Sequence, residues 1–302
     1  MNNEQLTISN YLSIEHHELR TTNYEPRTTN ISSMLSKTKL QYLKSFSQKK
    51  QRDKEGLFLI EGWRSIEEAC AASAKIDLLL YTKEAKAHSR YGSVLSSASK
   101  ASQEKIEISD KELSMIADTV TAQGVAALIK KIPYDTPNEL ERLSQRERAL
   151  VVGLDQIADP GNLGAIIRTA DWFGVDALLL SPKCVEVYNP KVVRSTVGSL
   201  FHTPILECEA NGISFEDILG KMGKNGFKIL GADVSGKTDL RNIVWPKKSV
   251  LVIGNEARGI SAEVSDLLDE HIAIPQFGKA ESLNAGVAAG VFLSHHSFQT
   301  RK

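Results

Sequence analysis

The sequence predicts an α/β protein: a C-terminal parallel sheet covered on both faces, preceded by a small α/β domain. Three observations predict it. Short, nearly unbroken apolar runs such as Leu178-Leu179-Leu180 and Val250-Leu251-Val252-Ile253 suit strands buried on both sides. Helical patterns separate those runs, as β–α–β winding requires. Three strands end in loops tipped with Gly, Asn and other polar residues, and an open α/β sheet builds its ligand site from such loops.

Residues 1–33 are rich in Asn, Thr, Ser and Glu with little periodicity, and a flexible tail is expected there. Residues 34–130 alternate helix and strand. A helix carrying Leu40, Tyr42, Leu43 and Phe46 leads to a strand over 56–61. An amphipathic helix over 66–72 precedes a strand over 76–81. A Ser/Ala-rich helix, a strand over 105–108, a helix over 111–117 and a strand over 124–129 complete the domain. Residues 131–148, with Pro133, Pro137 and dense charge, read as a linker with a short helix of its own. The second domain, 149–302, has strands expected over 149–154, 177–180, 227–231, 249–253 and 271–274. A helix over 162–173 is closed by Gly174.

At 302 residues the chain has room for both domains. Lys+Arg and Asp+Glu both number 37, so an RNA partner has to be met by local clustering, not by a global field. Cys70, Cys184 and Cys208 fit no metal or redox spacing, so a reduced cytoplasmic chain without a metal site is expected. No run of about 18 apolar residues occurs, which argues against a membrane span. The first residues lack the basic and apolar regions of a secretory signal.

One motif misleads. Gly231-Ala-Asp-Val-Ser-Gly236-Lys237-Thr238 satisfies the phosphate-loop pattern after an apolar strand, and so raises a nucleoside-triphosphatase as a rival class. Such a loop needs a long helix next, so that its first N–H groups can hold phosphates. Here a short segment stopped by Pro246 follows, and Asp233 would set a carboxylate beside the phosphates. An ordinary turn is the expectation.

The three strand-end loops carry the chemistry. In the first, Asp159-Pro160-Gly161-Asn162 feeds a helix whose apolar face is Leu163, Ile166, Ile167, Ala170 and Phe173. Arg168 lies off that face, with Gly164 and Ala165 one turn back leaving space for its guanidinium or for a ligand. A solvated surface arginine is the plain alternative. In the second, Gly254 and Gly259 permit tight turns, and Glu256 can accept from a ligand or an arginine. Pairing with Arg258 or capping the next helix is the alternative. In the third, Ser282 and Asn284 open a helix of small residues, as site groups or as its N-cap. Gly286-x-x-x-Gly290 allows close packing within or between subunits.

Together these segments resemble the three motifs of the SpoU (TrmH-type) RNA ribose methyltransferases of the SPOUT superfamily. Asn162 and Arg168-Thr169 match the first motif, and Gly254, Glu256 and Gly259 the second. Ile274-Pro275 followed by Ser282-Leu283-Asn284 matches the third. The segment 191–201 is also similar to the family, so the resemblance spans about 151–298. One departure is visible: Ala285 and Gly286 stand where the family usually has a β-branched residue and a serine. The resemblance implies a trefoil knot, one of the rare exceptions to unknotted topology. It further implies S-adenosyl-L-methionine bound at the knot, a homodimer, and methyl transfer to a ribose 2′-hydroxyl. It places the cofactor on Ile253, Gly254, Ile274, Gln276 and Leu283, and the catalytic set on Arg168, Asn162, Glu256, Ser282 and Asn284.

The first domain is similar to the family's RNA-binding substrate module, which implies large-subunit rRNA ahead of tRNA as the substrate. Its Lys37, Lys39, Lys44, Lys49, Lys50, Arg52 and Lys54, interleaved with Tyr42 and Phe46, form a candidate RNA surface. Lys49, Lys50 and Arg52 are the central expectation, with an ordinary solvated helix face as the alternative. A catalytically inactive knot protein that only binds RNA would show erosion at the polar motif positions. All five polar residues are present.

Overall fold

The computed structural model describes residues 35–117, 123–208 and 212–300. The expected tail, 1–33, lies outside the described residues. The first part of the described chain contains α1 (Lys37–Lys44), α2 (Lys49–Glu55), β1 (Leu57–Glu61), α3 (Trp63–Ala71) and β2 (Ile76–Tyr81). It continues through α4 (Lys83–Ala87), α5 (Gly92–Ala101), β3 (Ser102–Glu107), α6 (Asp110–Ile116) and β4 (Val125–Lys130). The four strands form a sheet in the order β1-β4-β2-β3, with β4 antiparallel to both β1 and β2 and β3 parallel to β2. β3 begins three residues before the expected 105. Its first residues, Ser102-Gln103-Glu104, are polar because it is the sheet's edge, and an edge strand carries little burial pattern to read.

Each face of this sheet has its own cover. Leu78, Leu80 and Leu128 pack with Leu43, Phe46 and Leu113 on one side. On the other, Phe58, Ile60, Leu79 and Ile129 join Ile66 of α3 in a core that runs on without a break into the second sheet. In the expected linker, α7 (Thr136–Ser144) starts at Asp135, whose carboxylate accepts from Asn138 N at 3.1 Å. Its Leu143 is fully buried under the second sheet.

That second sheet contains β5 (Ala149–Leu154), β6 (Ala177–Leu180), β7 (Ile205–Glu207), β8 (Lys228–Ala232), β9 (Thr238–Asp239), β10 (Lys248–Ile253) and β11 (Glu270–Ala273). Its order is β7-β6-β5-β10-β8-β11-β9, and every pairing is parallel. Side chains alternate between the faces with the period of a strand. Leu150, Val152, Leu154, Leu251 and Ile253 share a core with α8 (Pro160–Trp172), α9 (Pro190–Thr196) and α12 (Ala285–Thr300). Ala149, Val151, Val250 and Val252 share the other with α7, α10 (Phe215–Lys224) and α11 (Ala262–Ser265). β7 and β9 were not expected. Each has three residues or fewer, too short for a period of two to show.

The phosphate-loop pattern is an ordinary turn. Gly231 lies inside β8, and Thr238 opens β9, followed by a 3₁₀ turn over Leu240–Asn242 in place of a long helix. Asp233 Oδ1 accepts from the Ser235 N–H and hydroxyl at 2.8 Å each. A Cβ on Gly236 would stand 2.8 Å from backbone atoms of His271 and Ala273, so this glycine serves a close chain crossing and not an anion.

One expectation about the RNA surface is overturned. Arg52 is only 2% exposed. Its Nη1 donates to the carbonyls of Phe46 and Ser47 at 2.7 and 2.8 Å, and its Nε to Glu186 Oε1 at 3.2 Å, with Nη2 on the same carboxylate. Four of its five N–H bonds are spent on these partners, and burial keeps the group away from any phosphate in solvent. The reason is positional: in the short α2, Arg52 points at the loop before α9, while Lys49 and Lys50 remain exposed.

Candidate active site

β5 and β10 are neighbours, so the loops that leave their C-terminal ends lie side by side. Asp155, 2% exposed at the end of β5, accepts from Ser261 N at 2.7 Å. Asn255 donates from Nδ2 to the Gln156 carbonyl at 2.8 Å, and its Oδ1 receives the N–H groups of Ala257 and Arg258 at 3.0 and 3.1 Å. These two residues tie the first loop to the second and were missed by sequence reasoning. The available signal was their place, a polar residue directly after or near the end of an apolar strand.

α8 starts at Asp159, whose Oδ1 accepts from Asn162 N at 2.9 Å, with Pro160 in the first turn. That N–H holds the Asp159 carboxyl below the usual carboxylate range, with nearby Lys191 adding to the effect against slight burial. Leu163, Ile166, Ile167 and Ala170 are fully buried, and Gly174 adopts φ +60° just beyond the helix, as expected. Arg168 is exposed and has no side-chain partner among the described residues. The space expected beside it is filled at Gly164, while Ala165 is exposed. A Cβ on Gly164 would collide with Ser195 of α9, and Ala165 has Gly286 against it. The freedom of Arg168 comes from exposure, not from an intramolecular gap.

The third loop returns from β11, across the ends of β8 and β10, to start α12 beside α8. A Cβ on Gly286 would stand 3.2 Å from both Ala165 Cβ and Asn284 Oδ1. The glycine that departs from the family pattern thus sits where α12 packs tightly on α8. Gln276 Nε2 donates to the carbonyls of Gly278 and Ala280 at 3.1 and 2.7 Å and curls the loop on itself. Ser282 is exposed, and so is Leu283 at 47%.

Three of the expected site residues meet across all three loops. Asn162 Nδ2 donates to Glu256 Oε1 at 2.6 Å, and Asn284 Nδ2 donates to Asn162 Oδ1 at 2.7 Å. Asn284 also caps α12, its Oδ1 accepting from Gly286 N and Val287 N at 2.9 and 3.3 Å. Glu256 pairs with neither Arg258 nor the next helix.

The residues fit an adenosyl group. Ile253 is 3% exposed at the end of β10 and Ile274 is half-buried at the end of β11, while Leu283 offers open apolar surface. At Gly254 a Cβ would run into the Gly259 and Ile260 backbone, so only glycine closes that turn. Two cavities, of about 210 and 180 Å³, lie beside β1 and β7, away from these loops. Hydrogen-bond geometry marks this site, not enclosure.

Residues 149–294 match the SpoU rRNA methylase family, and residues 37–127 match the MRM3-like substrate-binding domain. RlmP of Bacillus subtilis strain 168, a 23S rRNA (guanosine(2553)-2′-O)-methyltransferase, is 31% identical over 252 residues, covering 83% of this chain and 93% of its own. The chain belongs to the SpoU family. As a SpoU protein it is an S-adenosylmethionine-dependent RNA methyltransferase. Solved structures agree. An AdoMet-bound rRNA methyltransferase from Sinorhizobium meliloti superposes with a TM-score of 0.77 at 27% identity, covering 90% of this chain and 98% of that one. The SpoU methyltransferase AviRb from Streptomyces viridochromogenes, in complex with AdoMet, gives 0.76 at 29% identity, covering 86% and 97%.

Proposed function

We propose that this SpoU protein methylates a ribose 2′-hydroxyl of large-subunit rRNA. The observation that carries the reading is the junction of Asn162, Glu256 and Asn284, where three strand-end loops converge on one point. S-adenosylmethionine supplies, when bound, an electrophilic methyl group; the chain must position a hydroxyl in line with it and exclude water. Ile253, Gly254, Ile274 and Leu283 hold the adenosyl moiety, and Gln276 shapes the loop around it. Arg168, exposed and unpartnered among the described residues, clamps the phosphate next to the target ribose with its planar fork. Ser282 closes the site from the third loop.

The RNA target rests on the likeness to RlmP along nearly its whole length and on the match of 37–127 to a substrate-binding domain. The division of labour we propose follows it: residues 34–130 hold RNA through surfaces such as Lys49 and Lys50, 131–148 connect, and 149–302 perform transfer. A cytoplasmic location belongs to the same reading. So does the trefoil knot, which the return of the third loop across β8 and β10 supports. A homodimer is supported by Trp172 on α8 and by Val287, Val291 and Phe298 along one stripe of α12. These side chains are 83%, 53%, 36% and 81% exposed on two helices packed side by side.

Mapping 2′-O-methylation in total RNA from cells with and without the gene tests the reading. One ribose in large-subunit rRNA is expected to lose its methyl group, whereas a lost tRNA mark or no lost mark would sink it. Arg168→Ala is expected to slow transfer severely with cofactor affinity unchanged, and loss of cofactor binding would remove Arg168 from its phosphate role.

A further inference from the structure

We propose that Glu256 is the proton acceptor for the ribose hydroxyl, held in that role by a hydrogen-bond chain whose direction is dictated by the N-terminus of α12. The proposal rests on the functional reading above. The backbone N–H groups of Gly286 and Val287 can only donate. Both point at one side-chain atom of Asn284, so that atom is its carbonyl oxygen. The atom of Asn284 facing Asn162 is therefore the amide nitrogen, a donor, and it requires the oxygen of Asn162. Asn162 is left with only its own amide to offer Glu256. Flipping either amide would set donor against donor or acceptor against acceptor.

The chain thus ends on a group that must accept. Oε1 of Glu256 is engaged by Asn162, while Oε2 has no partner among the described residues. A carboxylate fixed through one oxygen and open at the other is poised to take a proton from a hydroxyl arriving at the same junction. Arg168 cannot match this, because a guanidinium stays protonated in proteins. In the transfer, Glu256 Oε2 takes the proton as the ribose oxygen bonds to the methyl group. The methyl's bond to the donor sulfur breaks and its electron pair stays on sulfur. Asn162 and Asn284 are positioning residues in this scheme. The other charged or titratable groups on these loops and on α8, α9 and α12 are Asp155, Asp159, Arg168 and Asp171 on the first loop and its helix, Arg258 on the second, Lys279 and Glu281 on the third, Lys191 and Arg194 on α9, and His295 and His296 on α12.

Single-turnover transfer across pH, with calorimetric S-adenosylmethionine binding alongside, tests the assignment. Glu256→Gln keeps the shape and the acceptor for Asn162. It is expected to lower the transfer rate about 10²–10⁴-fold and to remove the acid limb of the profile, with cofactor binding retained. Arg168→Ala is expected to slow transfer with that limb intact. Asn284→Asp keeps the helix cap but loses the donor to Asn162, and is expected to shift the acid limb. Without activity as readout, the ¹⁵N side-chain amide signal of Asn162 should titrate in the wild type and not in Glu256→Gln. A near-normal rate and profile in Glu256→Gln, or an Asn162 signal insensitive to that change, would overturn the role. Absence of ribose methylation by the wild-type protein would sink the functional reading itself, and this role with it.

Discussion

Two polar clusters in this SpoU protein use the same kinds of side chain for opposite ends. Around Arg52, the donors are spent on Glu186 and on the Phe46 and Ser47 carbonyls. Lys131 sits 3.7 Å from Glu186 and 2.6 Å from Asp53, and its ammonium lies 5.0 Å over the Tyr188 ring. Arg52 and Glu186 are almost out of water, at 3% and 11% side-chain exposure. Around Asn162, in contrast, the chain of bonds is ordered in one direction and stops at an oxygen with no partner among the described residues. A closed cluster joins the two sheets; an open one waits for a ligand. Completeness of pairing, not residue type, separates structural from functional charge here.

The comparison breaks most visibly at Arg52. Arg52→Ala is expected to leave the nearly buried Glu186 with only Lys131, 3.7 Å away, costing up to about 3 kcal/mol. That lowers the melting temperature by on the order of 10 °C. Thermal unfolding checks the loss, and an unchanged salt dependence of RNA binding confirms that Arg52 touches no phosphate. A large change in salt slope with normal stability would restore it to the RNA surface.

The exposed lysines of the same helix sharpen the contrast. Reversing Lys49 and Lys50 to Glu is expected to weaken RNA binding, flattening the plot of log affinity against log salt by about 0.7 per lost contact to single-stranded RNA. Lys49 pairs with Asp53 at 2.5 Å, but at 63% exposure such a surface pair contributes little, so stability should change little. An unchanged slope would reduce both lysines to a solvated face.

The smallest effect is expected at His202, which bridges the two parts of the molecule. Its Nδ1 lies 2.9 Å from Asp171 of α8 and its Nε2 3.1 Å from Glu68 of α3. Burial pulls its pKa down, but the hydrogen bond to Asp171 and the charges of Asp171 and Glu68 outweigh that and raise it. A raised folded-state value means the bridge stabilises fully below the unfolded pKa of about 6.5 and fades as pH climbs through the higher folded value. The melting-temperature gap between the wild type and His202→Gln should therefore close as pH rises above that point. A gap that is constant or grows with pH would show that the ring is not charged in the bridge.

Much of the large sheet was legible in the chain. β5 and β6 fall on the expected 149–154 and 177–180, and β8, β10 and β11 shift by one residue. Strands covered on both faces write their burial into every position, so periodicity has little to confuse it. β7, β9 and the polar start of β3 lie at edges, where pairing depends on a neighbour and not on the strand's own residues. The site was legible as three loops with polar tips, while its internal order was not. Asn162, Glu256 and Asn284 are separated by 94 and 122 residues along the chain in their two contacts.

By itself, then, the sequence determined the α/β class, the loops that bear the chemistry, and the identity of the polar groups at their tips. These are properties of local pattern and residue type. Only the tertiary structure decided that Arg52 is an internal brace, that Gly164 makes room for α9, and that the Asn284–Asn162–Glu256 chain runs toward the carboxylate. Each depends on which distant backbone comes near, and a hydrogen bond has no direction until both of its partners are in place.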